Sequence, residues 1–176
     1  MRRIVLYVAV SLDGCIARAD GSLDWLDAAA LPGEDYGYGE FLASVDALLV
    51  GGVTFRQLLG FGEYPYAGKR VYVFTRQGPV EVPEGADAEF VDIDPAEMAR
   101  RLKEEPGDDI WLVGGSAIIR PVMDAGLVDE IILSVIPVVL GDGIPLFAAG
   151  TLEKRFELLD ERSYPGGIVQ LRYRPS

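Results

Sequence analysis

The run of residues 110–119, Ile-Trp-Leu-Val-Gly-Gly-Ser-Ala-Ile-Ile, constrains the fold of this chain more than any other stretch. Its first four residues are apolar and follow two aspartates, a pattern typical of a buried strand. Two glycines then permit a tight turn, and Ser116 is a residue type that often caps a helix. A strand that turns directly into a helix leaves backbone N–H groups unpaired, and such groups can bind a phosphate. The glycines are equally consistent with a turn alone, because the run lacks the G-x-G-x-x-G pattern of dinucleotide-binding folds.

A second stretch shows the same order of features. Residues 46–50 predict a buried strand, and Gly51, Gly52, Val53 and Thr54 follow directly. The hydroxyl group of Thr54 therefore follows a glycine pair in the sequence, as that of Ser116 does, and can cap a helix.

A third predicted strand, residues 70–76, ends in Thr75 and Arg76. A hydroxyl and a guanidinium at a strand end can clamp a phosphate monoester, although the pair is also consistent with a solvated strand end. If the three strands are parallel and adjacent, their carboxyl ends lie together at one edge of the sheet, where such sheets bind ligands.

The remaining sequence alternates between predicted strands and helices. Further strands are predicted at 4–10, 90–93 and 129–136, and helices at 40–45, 94–105 and from 116 to 125, the last starting late near Ile118 or bending at Pro121. A loop is expected from 16 to 31, and the final segments 155–162 and 168–174 predict an antiparallel hairpin. This order indicates one α/β domain over residues 1–176, with helices on both faces of a mixed sheet.

Composition narrows the classes of function. The 176 residues carry a net charge of −12 and include no histidine and one cysteine. Nucleic acids and anionic membranes require a basic patch, so neither is an expected partner. Without histidine there is no Ser-His-Asp triad, Cys-His pair or His-ligated metal, and no metal site is expected. The single Cys15 excludes an intrachain disulfide, and no apolar run approaches the roughly 20 residues that span a bilayer, so a soluble cytoplasmic protein is expected.

Five motifs occur along the chain: Ala9-x-Ser-x-Asp-Gly14, Val50-Gly-x-x-Thr-Phe55, Phe74-Thr-Arg76, Leu112-Val-Gly-Gly115, and Gly126-Leu-Val-Asp-Glu-Ile131 with Pro137-x-x-x-Gly141. Taken jointly, they resemble the dihydrofolate reductase-like superfamily, in particular the branch related to the reductase domain of riboflavin biosynthesis. The resemblance covers almost the whole chain, and residues 112–147 are its most specific part. It implies a three-layer α/β fold with a mixed, mostly parallel eight-stranded sheet, an antiparallel C-terminal hairpin, and NADPH bound across the carboxyl edge.

The resemblance also implies which residues hold NADPH. They are Ala9, Ile16, Gly51, Gly52, Val53, Thr54, Thr75, Arg76, Val113, Gly114, Gly115, Ser116, Ala117 and Ile118. The glycine turns would receive the pyrophosphate, Thr75 and Arg76 the adenosine 2′-phosphate, and Ala9 and Ile16 would line the nicotinamide pocket. The family usually has a basic residue where this chain has Gly52. Either cofactor binding is weaker for that reason, or another arginine substitutes.

The residues around the expected cleft indicate the substrate class. Between residues 19 and 68 the only basic residue is Arg56, against eight carboxylates. An anion desolvated without a partner is costly, so the substrate is predicted to be a neutral or cationic heterocycle or carbonyl-like compound. Trp25 and Ser134 are the candidate substrate-binding residues, although Trp25 is also consistent with a core anchor.

The proton donor is predicted by analogy with dihydrofolate reductase, in which a carboxylic acid near the start of the first helix supports proton delivery. Asp35 is the first candidate and Asp13 the second, as a buried carboxyl with a raised pKa could act as the acid. A solvated loop residue and a turn-forming residue are the alternatives for Asp35 and Asp13, respectively.

Several functions remain open at this level. The first is an NADPH-dependent reductase, with a reductase of the riboflavin-precursor pyrimidine or of dihydrofolate itself as alternative enzymes. The second is a non-catalytic small-molecule-binding protein of the same fold. A homodimer is also expected, for which pairing of the apolar strand 131–139 across a two-fold axis is one possible route.

Overall fold

The computed structural model describes residues 1–27 and 29–176, and its elements follow the predicted alternation. In chain order the strands are β1 (Ile4–Ser11), β2 (Cys15–Arg18), β3 (Val45–Gly51), β4 (Arg70–Phe74), β5 (Asp87–Val91), β6 (Asp109–Gly114), β7 (Glu130–Ile136), β8 (Gly143–Pro145), β9 (Phe156–Ser163) and β10 (Val169–Pro175). The helices are α1 (Tyr38–Ala43), α2 (Gly52–Leu59), α3 (Pro95–Glu104) and α4 (Ser116–Asp124), and one further helical turn lies at Asp24–Leu26.

Eight strands form one sheet in the order β5-β4-β3-β6-β1-β7-β10-β9. The six strands from β5 to β7 in this order run parallel, whereas β10 is antiparallel to both β7 and β9. The predicted mixed sheet with an antiparallel C-terminal hairpin is therefore confirmed. Because the six strands are parallel, their carboxyl ends all lie at one edge.

Alternate side chains of the central strands face two separate apolar cores. On one face Leu49 and Leu112 pack in a cluster with residues of α3 and α4, and on the other Leu48 packs with Phe41 of α1 and Phe55 of α2. Strands covered on both faces read as continuous apolar runs, which is why β3 and β6 were identifiable in the sequence. The helices on both faces give the three layers.

The helices differ in how they begin. Asp94 caps α3 as predicted, and its carboxylate accepts hydrogen bonds from the backbone N–H groups of Ala96 and Glu97. By contrast, Gly51 and Gly115 are the N-cap residues of α2 and α4, and no side chain in the described part of the chain caps either helix. The capping roles predicted for Thr54 and Ser116 are therefore wrong. Both residues lie inside their helices, because Gly51 and Gly115, in extended conformation, already occupy the N-cap positions.

Two local expectations also differ from the structure. α4 begins at Ser116 and contains Pro121, so it does not start late. The expected loop after residue 16 contains β2, which pairs with β8. A Cβ atom at Gly143 would lie 2.6 Å from the Ala17 carbonyl oxygen, so this pairing depends on a glycine far along the chain.

β7 bonds to β1 on one side and to β10 on the other. Both of its edges are thus occupied, and the hypothesis that residues 131–139 pair with a second copy is wrong in this detail. Dimer formation by another surface stays a prediction.

None of the helices in residues 1–27 and 29–176 combines the length and the apolar character needed to cross a membrane.

Candidate functional site

The two glycine turns touch each other at the carboxyl edge of the sheet. β3 and β6 are neighbours, and Val50 pairs with Gly114. A Cβ atom at Gly51 would lie 3.3 Å from the amide nitrogen of Gly115, and one at Gly115 would lie 3.5 Å from the hydroxyl of Thr54. The Gly114–Gly115 peptide bond is cis. Two motifs that are more than 60 residues apart in the sequence therefore form one surface with little side chain on it.

The helix starts at this surface present backbone N–H groups that are not capped by side chains of the described residues. The predicted cofactor residues 52–54 and 116–118 supply the first turns of α2 and α4. A helix start without a protein cap carries a partial positive charge and can receive an anion.

The end of β4 lies beside the start of α2. These two segments and the adjoining glycine turns are called the corner below. Gly51 pairs with Phe74, so Thr75 and Arg76 follow directly beside the first turn of α2. A Cβ atom at Gly52 would lie 2.9 Å from the Thr75 Cβ. Arg56, one turn further into α2, donates from Nη2 to the Thr75 hydroxyl at 3.4 Å. Sequence reasoning did not include Arg56 in the site, although its spacing of four from Gly52 places both on one helix face.

Neither Arg56 nor Arg76 has a carboxylate oxygen within 4.0 Å among the described residues. This is notable in a chain with 28 acidic and 16 basic side chains, in which most arginines are ion-paired. The corner therefore keeps a positive charge that the protein itself does not neutralise.

A second group of predicted residues lies further along the same edge. Ala9 of β1 pairs with Ser134 of β7. Trp25 is 2% exposed and belongs to a cluster that includes Ile136, against which Ala9 packs. This burial is consistent with a structural role of Trp25 in the core. However, its indole Nε1 is buried without a hydrogen-bond partner among the described residues. Ile16 lies in β2 and packs instead against the core beneath α3 and α4.

Hydrogen bonds connect the buried Ser134 to residues of β10, β1 and the segment before α1. The Gln170 amide donates to the Ser134 hydroxyl at 3.1 Å and to the Tyr36 carbonyl oxygen at 3.1 Å. The Tyr7 hydroxyl donates to the same carbonyl at 3.3 Å, and burial raises the pKa of this tyrosine. Sequence reasoning missed Tyr7, Tyr36 and Gln170, because their contacts join segments up to 163 residues apart.

A groove of about 230 Å³ opens next to these polar groups, between α1 and the C-terminal hairpin. Tyr7 and Gln170 line it, and so do three arginines that are all ion-paired. Arg172 lies 2.6 Å and Arg3 3.2 Å from the Glu130 carboxylate, and Arg162 lies 3.2 Å from that of Asp160. The cations of the groove are thus neutralised within the protein.

Comparison with known families decides the assignment of the chain. A family model described as the RibD C-terminal domain matches residues 2–170. The chain belongs to the RibD C-terminal domain family. The resemblance inferred from the five motifs is thereby confirmed.

Relatives of this RibD-type chain agree in length and fold. It is 40% identical to the uncharacterized protein YwjB of Bacillus subtilis (strain 168) over 98% of the chain and 97% of the relative. The uncharacterized protein YyaP of the same organism is 35% identical, with coverage of 98% and 94%. A Shewanella sp. PV-4 crystal structure named for riboflavin biosynthesis superposes with a TM-score of 0.86 at 28% identity, and 99% of each chain is covered. A pyrimidine reductase-like protein of Corynebacterium diphtheriae shares the fold, with a TM-score of 0.73, 16% identity and coverage of 99% and 92%.

The two candidate proton donors of this RibD-type chain have other contacts. Asp35 is exposed, and its carboxylate accepts hydrogen bonds from the Gly37 and Gly39 amides at 2.9 and 3.1 Å, at the start of α1. Asp13 accepts from the Ser11 hydroxyl at 2.6 Å and from the amides of Leu140 and Gly141. These bonds lower the pKa of Asp13 to about 2. The geometry favours the structural alternative for both, since both carboxyl groups are exposed and accept hydrogen bonds from backbone amides.

Proposed function

We propose that this RibD-type protein is an NADPH-dependent oxidoreductase that transfers a hydride to a small, non-anionic heterocyclic or carbonyl-like substrate. The observation that carries the proposal is the meeting of two bare glycine turns, two uncapped helix starts and two unpaired arginines at one sheet edge. A phosphorylated dinucleotide has the matching negative charges. The name of the Corynebacterium diphtheriae neighbour, a pyrimidine reductase-like protein, agrees with this class of reaction.

The residues present fit NADPH. The absence of side chains at Gly51 and Gly115 lets the starts of α2 and α4 approach each other closely, and residues 52–54, 116 and 117 would offer backbone N–H groups to the pyrophosphate. Thr75 and Arg76, which follow β4 beside the start of α2, would receive the phosphate of the adenosine ribose. When bound, NADPH would supply the hydride, which is chemistry that no side chain of the protein provides.

The substrate pocket is assigned to the space beside Ala9, Trp25 and Ser134. Ala9 is only partly buried, and its small side chain would admit a flat ring against β1. The Trp25 indole N–H would orient the substrate by donating a hydrogen bond, which would also satisfy a buried donor. The Ser134 hydroxyl, held by Gln170, can donate to or accept from a polar edge of the ring.

The proton that completes the reduction is assigned to a water molecule. Of the described carboxyl groups only Glu130 is buried, and Arg3 and Arg172 bind it. No such carboxyl is therefore left to act as the acid beside Trp25. The preference for a non-anionic substrate rests on residues 19–68, in which Arg56 is the only basic residue against eight carboxylates.

Isothermal titration of the purified protein with NADPH tests the proposal directly. Saturable binding is expected, together with oxidation of NADPH when neutral nitrogen heterocycles or carbonyl compounds are added. Absence of binding at millimolar NADPH would overturn the proposal. Binding of such compounds without NADPH oxidation over a broad panel would favour the non-catalytic alternative.

A further inference from the structure

We infer that Arg56 selects a dinucleotide that carries a 2′-phosphate, and that position 52 is glycine so that the Arg56 guanidinium can reach this phosphate. The inference rests on the proposed binding of NADPH. The family usually has a basic residue at position 52. In this inference Arg56, one helical turn further along α2, takes the role of that residue.

Arg56 and Gly52 compete for the same space. The guanidinium folds back over the start of α2, and its Nη1 would lie 3.1 Å from a Cβ atom at position 52. That Cβ would also lie 2.9 Å from the Thr75 Cβ, which is closer than carbon atoms approach in folded proteins. Any side chain at position 52 would therefore displace Arg56 or Thr75, and glycine is what keeps the three groups together.

The charge of Arg56 is unbalanced where it lies. The residue is half-buried, and no carboxylate among the described residues approaches within 4.0 Å. Partial burial of an unpaired cation carries a desolvation cost, which a bound anion would offset. Arg3 and Arg172, which face the groove, show the opposite arrangement, since both bind Glu130.

Thr75 completes the chemistry at this corner. Its hydroxyl oxygen accepts from the Gln77 amide at 3.1 Å and from Arg56 at 3.4 Å. Because the oxygen accepts twice, its own hydrogen remains available for donation to an anion. A guanidinium fork and a hydroxyl donor suit a phosphate monoester, which carries close to two negative charges at neutral pH. NADH lacks this phosphate, so the corner would distinguish the two cofactors.

Calorimetric titration of the intact protein with NADPH and, separately, with NADH tests the inference without any turnover. Arg56→Gln is expected to weaken NADPH binding by about tenfold or more, as for loss of a charge-assisted contact, and to leave NADH affinity unchanged. Arg100→Gln is the matched control, because it removes an exposed arginine of α3 that has no carboxylate partner among residues 1–27 and 29–176. Gly52→Ala should act in the same direction as Arg56→Gln. Melting temperatures identify any variant that fails to fold.

Adenosine 2′-monophosphate and adenosine 5′-monophosphate serve as a second pair of probes. The wild-type protein should prefer the 2′-isomer, and Arg56→Gln should lose that preference. If wild type binds NADPH and a folded Arg56→Gln keeps the full preference for NADPH over NADH, the inference is overturned and the proposed function stands. If wild type binds neither dinucleotide, the proposed function fails and takes the inference with it.

Discussion

The Asp13 carboxylate joins two segments that are far apart in the sequence. It accepts hydrogen bonds from the Ser11 hydroxyl next to it and from the amides of Leu140 and Gly141, just before β8. These donors stabilise the ionised form and hold its pKa near 2, below the ordinary value of 3.8. The side chain thereby fixes the turn after β1 to the segment that leads to β8, and β8 in turn pairs with β2.

The pH dependence of stability distinguishes this role from that of a proton donor. A carboxyl with a folded-state pKa below its unfolded-state value stabilises the fold above the unfolded pKa, and this contribution is lost as pH falls through the folded pKa. Asp13→Asn should therefore lower the free energy of unfolding at pH 7 by an amount that persists to about pH 4 and fades toward pH 2. Denaturant titrations of both proteins between pH 7 and 3 would measure the difference. An Asp13→Asn protein that is more stable than wild type at pH 7, by a margin that shrinks as pH falls toward 4, would instead indicate a raised pKa and would contradict the structural role.

At the scale of elements, the three long helices divide according to their first turns. Asp94 caps α3, so the amides there are satisfied within the protein. α2 and α4 begin at glycines and have no side-chain cap among the described residues. Helix starts that follow a strand and stay uncapped keep their donors for a ligand. The start of α3 therefore contributes to stability, whereas the starts of α2 and α4 are suited to binding.

Hydrogen exchange can test this division. Addition of NADPH should slow exchange of the amides at 52–54, 116 and 117, because these groups would gain acceptors from the cofactor. The amides of Ala96 and Glu97 in α3 already have Asp94 as acceptor and should change little. Equal slowing of all three helix starts would show only global stabilisation, and unchanged exchange at α2 and α4 would contradict pyrophosphate binding there.

At the scale of the whole molecule, the excess of acidic over basic residues opposes folding. The 28 acidic and 16 basic residues give a net charge of −12, and the calculated isoelectric point is about 4.4. Eleven ion pairs among the described residues offset part of this charge, but most involve exposed side chains and contribute little each. Repulsion among the remaining carboxylates opposes the compact state.

Added salt should therefore stabilise this protein at neutral pH. Raising sodium chloride from about 0.01 M to about 0.5 M shortens the distance over which charges interact to a few ångströms and should raise the melting temperature by a few degrees. The same titration near pH 4.4, where the net charge is close to zero, is the control and should give a much smaller change. A fall in melting temperature with salt at pH 7 would mean that the ion pairs outweigh the repulsion.

Local sequence patterns were sufficient for most of the architecture. The buried strands are continuous apolar runs, α3 has a complete start signal at Asp94, and the glycine turns stand at the ends of β3 and β6. These features depend on interactions within a few residues, which the sequence displays directly. β2 was not predictable in the same way, since it is stabilised by pairing with β8 about 130 residues later.

By itself the sequence determined that strands ending in glycines, a hydroxyl and a basic residue exist, that no histidine takes part in the chemistry, and that the chain resembles the family to which it belongs. Only the tertiary structure decided that Gly51 and Gly115 touch, that Arg56 occupies the space above Gly52, and that Asp13 and Asp35 bind backbone amides. The reason is physical. Residue type and local spacing fix which groups are available, whereas the burial, charge balance and hydrogen-bond partners that set their roles come from segments brought together by the fold.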